Sequence, residues 1–227
     1  GSFVNGPCFG LFINHAMSIA ALGFIVVMID GRGTPGREKA FNDHNFGNLA
    51  STSDLNDRIS GMRQLAERYP YMDLERVGTV SSEMQTNAIY GILEHSDFYK
   101  VAVIHCLTDS RYLPACVTEV YNGVFKNGVM VKDSYPEEHI ESFNGKLLLI
   151  QGMRTPMSAK SMFLLVEALE KANKDFDMIC MPNMAHGISS YTMRREWDYL
   201  VKHLLGTNPP HEFKLTIGID KLMAEPV

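Results

Sequence analysis

The stretch Lys100-Val-Ala-Val-Ile-His-Cys106 is short, almost continuously apolar and rich in β-branched residues. A run of that kind, without polar alternation, predicts a strand buried on both faces. Segments of the same type recur on either side of it. Upstream, Gly23-Phe-Ile-Val-Val-Met-Ile-Asp30 reads as another such strand between glycine-rich turns. Ser53-Asp54 then cap a predicted helix with Leu55, Ile59, Met62, Leu65 and Ala66 at helical spacing, stopped by Pro70. Arg76-Val-Gly-Thr-Val80 predicts a strand and Thr86 to Glu94 a helix. Downstream, after a less regular stretch from Leu107 to Phe143, the series continues. It runs through a strand at Lys146-Leu-Leu-Leu-Ile-Gln151, a helix from Ala159 to Asn173, a strand from Phe176 to Met181 and a helix from Ser190 to Leu205. Strands alternating with helices at this spacing define an α/β fold, a mostly parallel sheet covered on both faces.

No internal repeat interrupts this pattern. The reading is one domain over residues 1–206 and an appended arm over residues 207–227. A length of 227 residues with 45% hydrophobic and 21% charged residues supports a sizeable core and excludes disorder, collagen and coiled coil. The net charge of -5 argues against nucleic acid or an anionic membrane surface as the main partner. No apolar run reaches the roughly 20 residues of a membrane span. Phe3-Val4 reads as the end of a truncated first strand. The expectation is that the sheet edge near Phe3 is covered by another chain, a second copy or an upstream segment. The sequence leaves the compartment open.

Cys8, Cys106, Cys116 and Cys180 show no CxxC pairing and read as free buried thiols. The eight histidines show no metal-ligand spacing, so neither a metal nor a cofactor is expected. Gly31-Arg-Gly-Thr-Pro-Gly36 lacks the third glycine of a dinucleotide fingerprint at the right offset and reads as a turn braced by Arg32 or Arg37. Fourteen methionines are many for this length. Met153, Met157, Met162, Met178, Met181 and Met184 read as core gap-fillers or, on a sharper reading, as the lining of a soft pocket.

Ile29-Asp-Gly-Arg-Gly-Thr-Pro-Gly36, Tyr69-Pro-Tyr-Met-Asp-Leu-Glu-Arg-Val-Gly78, Asp97-Phe-Tyr-Lys-Val-Ala-Val103 and His186-Gly187 stand in the order of a known family, as do Lys171 to Asp177 and Arg195 to Tyr199. Together they resemble the peptidase domain of the prolyl oligopeptidase and dipeptidyl-peptidase family. The resemblance implies an α/β-hydrolase fold whose first strands, and a β-propeller, lie upstream.

It also implies where the site falls. A serine nucleophile on this fold needs small residues on a sharp strand-to-helix turn. Here the turn reads Ser81-Ser82-Glu83-Met84-Gln85-Thr86, with Glu83 in the place of the nucleophile. Ser81 and Ser82 have bulky flanks for such a turn and read as caps of the following helix. Thr155 stands at the acid's position, in a stretch without a carboxylate between Gly145 and Glu167. His186 matches the base. Val4 replaces the oxyanion tyrosine, leaving the Met84 backbone N–H as a possible donor. Ser110, Leu113 and Val117 replace the aromatic residues of the proline pocket.

The leading expectation is therefore an oligomeric pseudo-peptidase, a catalytically degenerate homologue acting as a scaffold or partner-binding module. The alternative is a repurposed enzyme using Glu83 and His186 as an acid–base pair. A second alternative is residual serine hydrolase activity through Ser81 or Ser82.

Overall fold

The computed structural model describes residues 13–34, 36–45, 54–82, 87–112, 119, 135–185 and 188–215. Helix α1 (Ile13–Ala21) is followed by the single turn α2 (Lys39–Asn42) and by α3 (Leu55–Arg68). Then come β1 (Val77–Ser82), α4 (Asn87–Glu94), β2 (Tyr99–His105), β3 (Lys146–Gly152), α5 (Pro156–Lys171), β4 (Asp177–Met181) and α6 (Ser190–Leu200). The four strands form one parallel sheet in the order β1-β2-β3-β4.

The apolar runs are continuous because successive side chains enter two different cores. On one face Ala102, Ile104, Leu147 and Leu149 pack against Leu55 and Ile59 of α3, Ile89 and Leu93 of α4, and Met162, Leu165 and Leu169 of α5. On the other, Val101, Val103, Leu148 and Ile150 meet Tyr199, Leu200 and Leu204, with Ile19 and Phe24 packed alongside. Burial pushes the Tyr99 phenol up to about 12. Helix α6 continues into a π-helical turn, Val201–Leu205, and ends at Gly206, whose φ of 69° is a left-handed stop that glycine adopts without steric cost.

The element boundaries shift from the sequence expectations by a few residues. Helix α5 starts at Pro156, where proline's fixed φ suits the first turn, rather than at Ala159. Two differences are larger. Helix α1 was not anticipated. The segment from Phe24 to Asp30, expected as a strand buried on both faces, is no strand: it joins no ladder, and Ile25 and Met28 are 52% and 39% exposed. β-Branched composition favours extended backbone, but a strand also needs a neighbour to bond, and this segment is not part of the sheet formed by the four described strands.

Leu149 sits in the central layer with no exposure. Leu149→Ala should lower unfolding stability by about 2–5 kcal/mol. The exposed Met17→Ala should change it by no more than about 0.5 kcal/mol. Urea unfolding of the two variants checks the contrast.

Candidate functional site

The C-terminal ends of β1, β2 and β3 lie side by side, at the end of a parallel sheet where open α/β folds bind ligands. Strand β1 runs through Ser82 and α4 begins at Asn87. Between them in sequence stands the turn predicted above, whose Glu83 and Met84 lie outside the described residues. Ser81 and Ser82 precede it as the last ladder residues of β1, in register with Ile104 and His105. Neither stands at the N-terminus of α4, so the capping role expected for them gives way to strand pairing, which extends two residues beyond the predicted end at Val80.

The turn after β3 is clasped from several sides. Met153 N–H donates to the Met181 carbonyl at 3.0 Å, and Arg154 N–H to the Met184 carbonyl at 2.9 Å. The Thr155 hydroxyl donates to the carbonyl of Ala185, the residue before His186. Cys106 Sγ donates to the same carbonyl at 3.7 Å and accepts from the Gly152 N–H at 3.3 Å. Cys106 itself has a left-handed φ of 48°, and its N–H bonds to the Ile150 carbonyl at 2.8 Å. Gly152 is required by close approach: a Cβ there would stand 2.3 Å from the Ala185 oxygen. The position assigned to the acid and the loop leading to the base are thus brought together, through backbone contacts. His186 and Val4 lie outside the described residues.

The segment assigned to the proline pocket begins with one 3-10 turn, Ser110–Tyr112. It is held by the Arg111 guanidinium, which pairs with buried Asp109 at 2.5 Å and with Glu137, and lies 3.9 Å from the Tyr135 ring centroid. Burial opposes the charge on Arg111, but the two carboxylates overcome it and raise its pKa. Leu113 and Val117 lie outside the described residues. The clustered methionines do not share one environment. Met162 and Met178 belong to the first core, whereas Met153 is 39% exposed.

The sequence reading missed a second cluster at the same end of the sheet. Glu196 of α6, 1% exposed, has one imidazole on each carboxylate oxygen. His15 Nε2 is 2.7 Å from Oε1, and His105 Nε2 is 2.7 Å from Oε2. The signals were a histidine closing an otherwise apolar strand and a glutamate sharing the buried helical face of Thr192, Tyr199 and Leu200. Burial alone would raise the Glu196 carboxyl, but its bonds to His105 and His15 bring it below the ordinary range. The hydrogen bond to Glu196 raises the His15 pKa against the effect of burial. No group of three or more His, Cys, Asp or Glu among the described residues is arranged to hold a metal, and no described helix is long and apolar enough to cross a membrane.

A parallel sheet with helices on both faces, and a site at the carboxyl ends of its strands, define an α/β-hydrolase fold. The sequence profile of the prolyl oligopeptidase family matches residues 11–207, and the chain belongs to that family. It is 26% identical over 217 residues to human dipeptidyl peptidase 8, covering 90% of this chain and 24% of that one. Dipeptidyl peptidase family member 1 of Caenorhabditis elegans is 26% identical over 173 residues, covering 74% of this chain and 21% of the relative. The crystal structure of Porphyromonas gingivalis dipeptidyl peptidase 4 superposes with a TM-score of 0.67 at 23% identity, over 77% of this chain and 26% of that one. The chain thus spans about a quarter of the length of these relatives.

Two outcomes follow from this geometry. Gly152→Ala should push the 184–185 backbone away and lower stability by about 1–3 kcal/mol, read by thermal unfolding with amide exchange at the displaced loop. The pH dependence has two limbs. The His15 pKa is raised, so its contribution is complete below the ordinary histidine value and is lost as pH rises through the higher folded value. The Glu196 pKa is lowered, so its contribution is present above the ordinary carboxylate value and is lost as pH falls through the lower folded value. His15→Gln should flatten the alkaline limb and shrink the acid limb, because His15 also helps to lower the Glu196 pKa, measured as urea midpoints against pH.

Proposed function

We propose that this chain retains the family's scaffold without its peptide hydrolysis and acts as a partner-binding module. The observation that carries the reading is the Thr155 hydroxyl. It stands where the resemblance puts the triad's acid, and it donates to the Ala185 backbone carbonyl. A histidine base needs an anion behind it to fix its tautomer and stabilise the imidazolium; in the trypsin example, losing that anion lowers turnover by about 10⁴. A neutral hydroxyl engaged with a backbone carbonyl supplies no such charge, and the sequence offers no carboxylate between Gly145 and Glu167. Glu83 at the position of the nucleophile supports the same reading.

The binding face is the open side of β1. The sheet edge expected near Phe3 lies outside the described residues; among those described, β1 pairs only with β2, and its other side is where an added strand would bond. The exposed Ile25 and Met28 are further apolar surface for such a partner. Its source is another chain, a second copy or further sequence of the kind that makes the relatives about four times as long.

The test is release of dipeptides from short peptides, the activity for which the relatives are named. No release above background is expected from this chain, or from Thr155→Asp alone. Turnover at the rate of an active relative assayed in parallel would overturn the reading.

A further inference from the structure

Helix α6 starts at Ser190, and Tyr191, its second residue, is 45% exposed. Two guanidinium groups from the next turn reach back to it. Arg195 Nη1 donates to the Tyr191 hydroxyl at 2.9 Å, and the Arg194 and Arg195 guanidinium carbons lie 5.4 Å and 5.8 Å from the ring centroid. The spacing explains the arrangement. Residues three and four apart share a helix face, and long side chains on a helix lean towards its N-terminus.

The charges around this phenol are out of balance. Arg194 has a carboxylate, Asp198, at 3.5 Å. Among the described residues Arg195 has none within salt-bridge distance; Asp198 is near enough to feel its charge but not to pair with it. The half-buried Arg195 guanidinium therefore faces a neutral phenol oxygen. The first turn of α6 carries no acidic side chain either, although anions are favoured at a helix N-terminus. Its capping box, between Ser189 and Thr192, is complete without Tyr191. An exposed hydroxyl held by an unneutralised guanidinium is a place where added negative charge finds its counterpart already in position.

We propose that Tyr191 is a phosphorylation site and that Arg195, together with Arg194, receives the phosphate. The phosphoryl group comes from a nucleoside triphosphate through a protein tyrosine kinase. The phenol O–P bond forms, the bond between the β- and γ-phosphates breaks, the nucleoside diphosphate leaves and the phenol proton passes to the kinase. The ester adds a charge of about -1.5 to -2 and three acceptor oxygens. The planar guanidinium of Arg195 meets two of those oxygens with parallel N–H donors. The modification thus ties the first turn of α6 to the next, directly after the loop that leads from Ala185 to Ser189. It goes beyond the partner-binding reading and shares no residue with it.

The test treats the full chain with a broad-specificity tyrosine kinase and ATP, locates the phosphate by peptide mapping and titrates it by phosphorus NMR. Phosphate on Tyr191 is expected. Its second ionisation should lie about one unit below that of the same phosphorylated chain unfolded in urea, a roughly tenfold weaker hold on the proton. Arg195→Gln should abolish most of that difference, and Arg195→Lys, which keeps the charge without the fork, only part of it. No phosphate on Tyr191, an ionisation equal to that of the unfolded chain, or a shift indifferent to Arg195→Gln would overturn the proposal. The folded and unfolded wild type decide the point even where a variant fails to fold. Neither result bears on dipeptide release, which tests the partner-binding reading by itself.

Discussion

Glu196 is withdrawn from solvent and has each of its oxygens occupied by an imidazole, one from α1 and one from the end of β2. A carboxylate in that position has no alternative source of compensation. Removing one partner of a buried ion pair typically costs about 3–5 kcal/mol, because a charge is left in low dielectric without its counterpart. The position of α1 is therefore tied to the register between α6 and the sheet. Ile19 and Phe24 add apolar contact to the same face, but such contact is non-directional, and the two 2.7 Å bonds supply the geometric specificity.

The layout separates what holds the fold from what a site at the strand ends can do. The two cores are built from the middle of β2 and β3, where Val101 to Ile104 and Leu147 to Ile150 are essentially unexposed. Beyond the strand ends the contribution is mixed: Leu107 after β2 belongs to the first core, whereas Met153 after β3 is exposed. Thr155, which belongs to neither core, is a position where a substitution can change the chemistry without dismantling the sheet, since function resides in sites grafted onto a fold. Gly152 and Cys106 are exceptions: they hold the 184–185 backbone against the end of β3 by close approach, and that constraint is mechanical rather than catalytic.

The legibility of the sequence follows the same division. Strands β2, β3 and β4 and helices α3 to α6 were readable because each has its own apolar period, a local property. The Phe24–Asp30 segment has the composition of a strand without a ladder, and composition does not report whether a neighbour is present. The Glu196 cluster was illegible for a different reason. Its bonds join residues 181 and 91 positions apart, and each member alone resembles an ordinary polar residue at an element's edge. Thr155 was found as a position by resemblance, but its bond to the Ala185 carbonyl depends on the path of a loop that periodicity does not encode.

The open side of β1 connects these strands of argument. Among the described residues Val77–Ser82 pairs on one side only, with β2, and the Phe24–Asp30 segment, which forms no ladder, exposes Ile25 and Met28. Backbone groups left on a flat edge invite another strand, and natural proteins protect such edges with charge, proline or a covering element. The sequence of strand β1, Val77-Gly-Thr-Val-Ser-Ser82, has neither a charge nor a proline. An edge of that composition, where exposed, would pair readily with a further strand. That is the physical reason for reading the face as an interface rather than as bare surface.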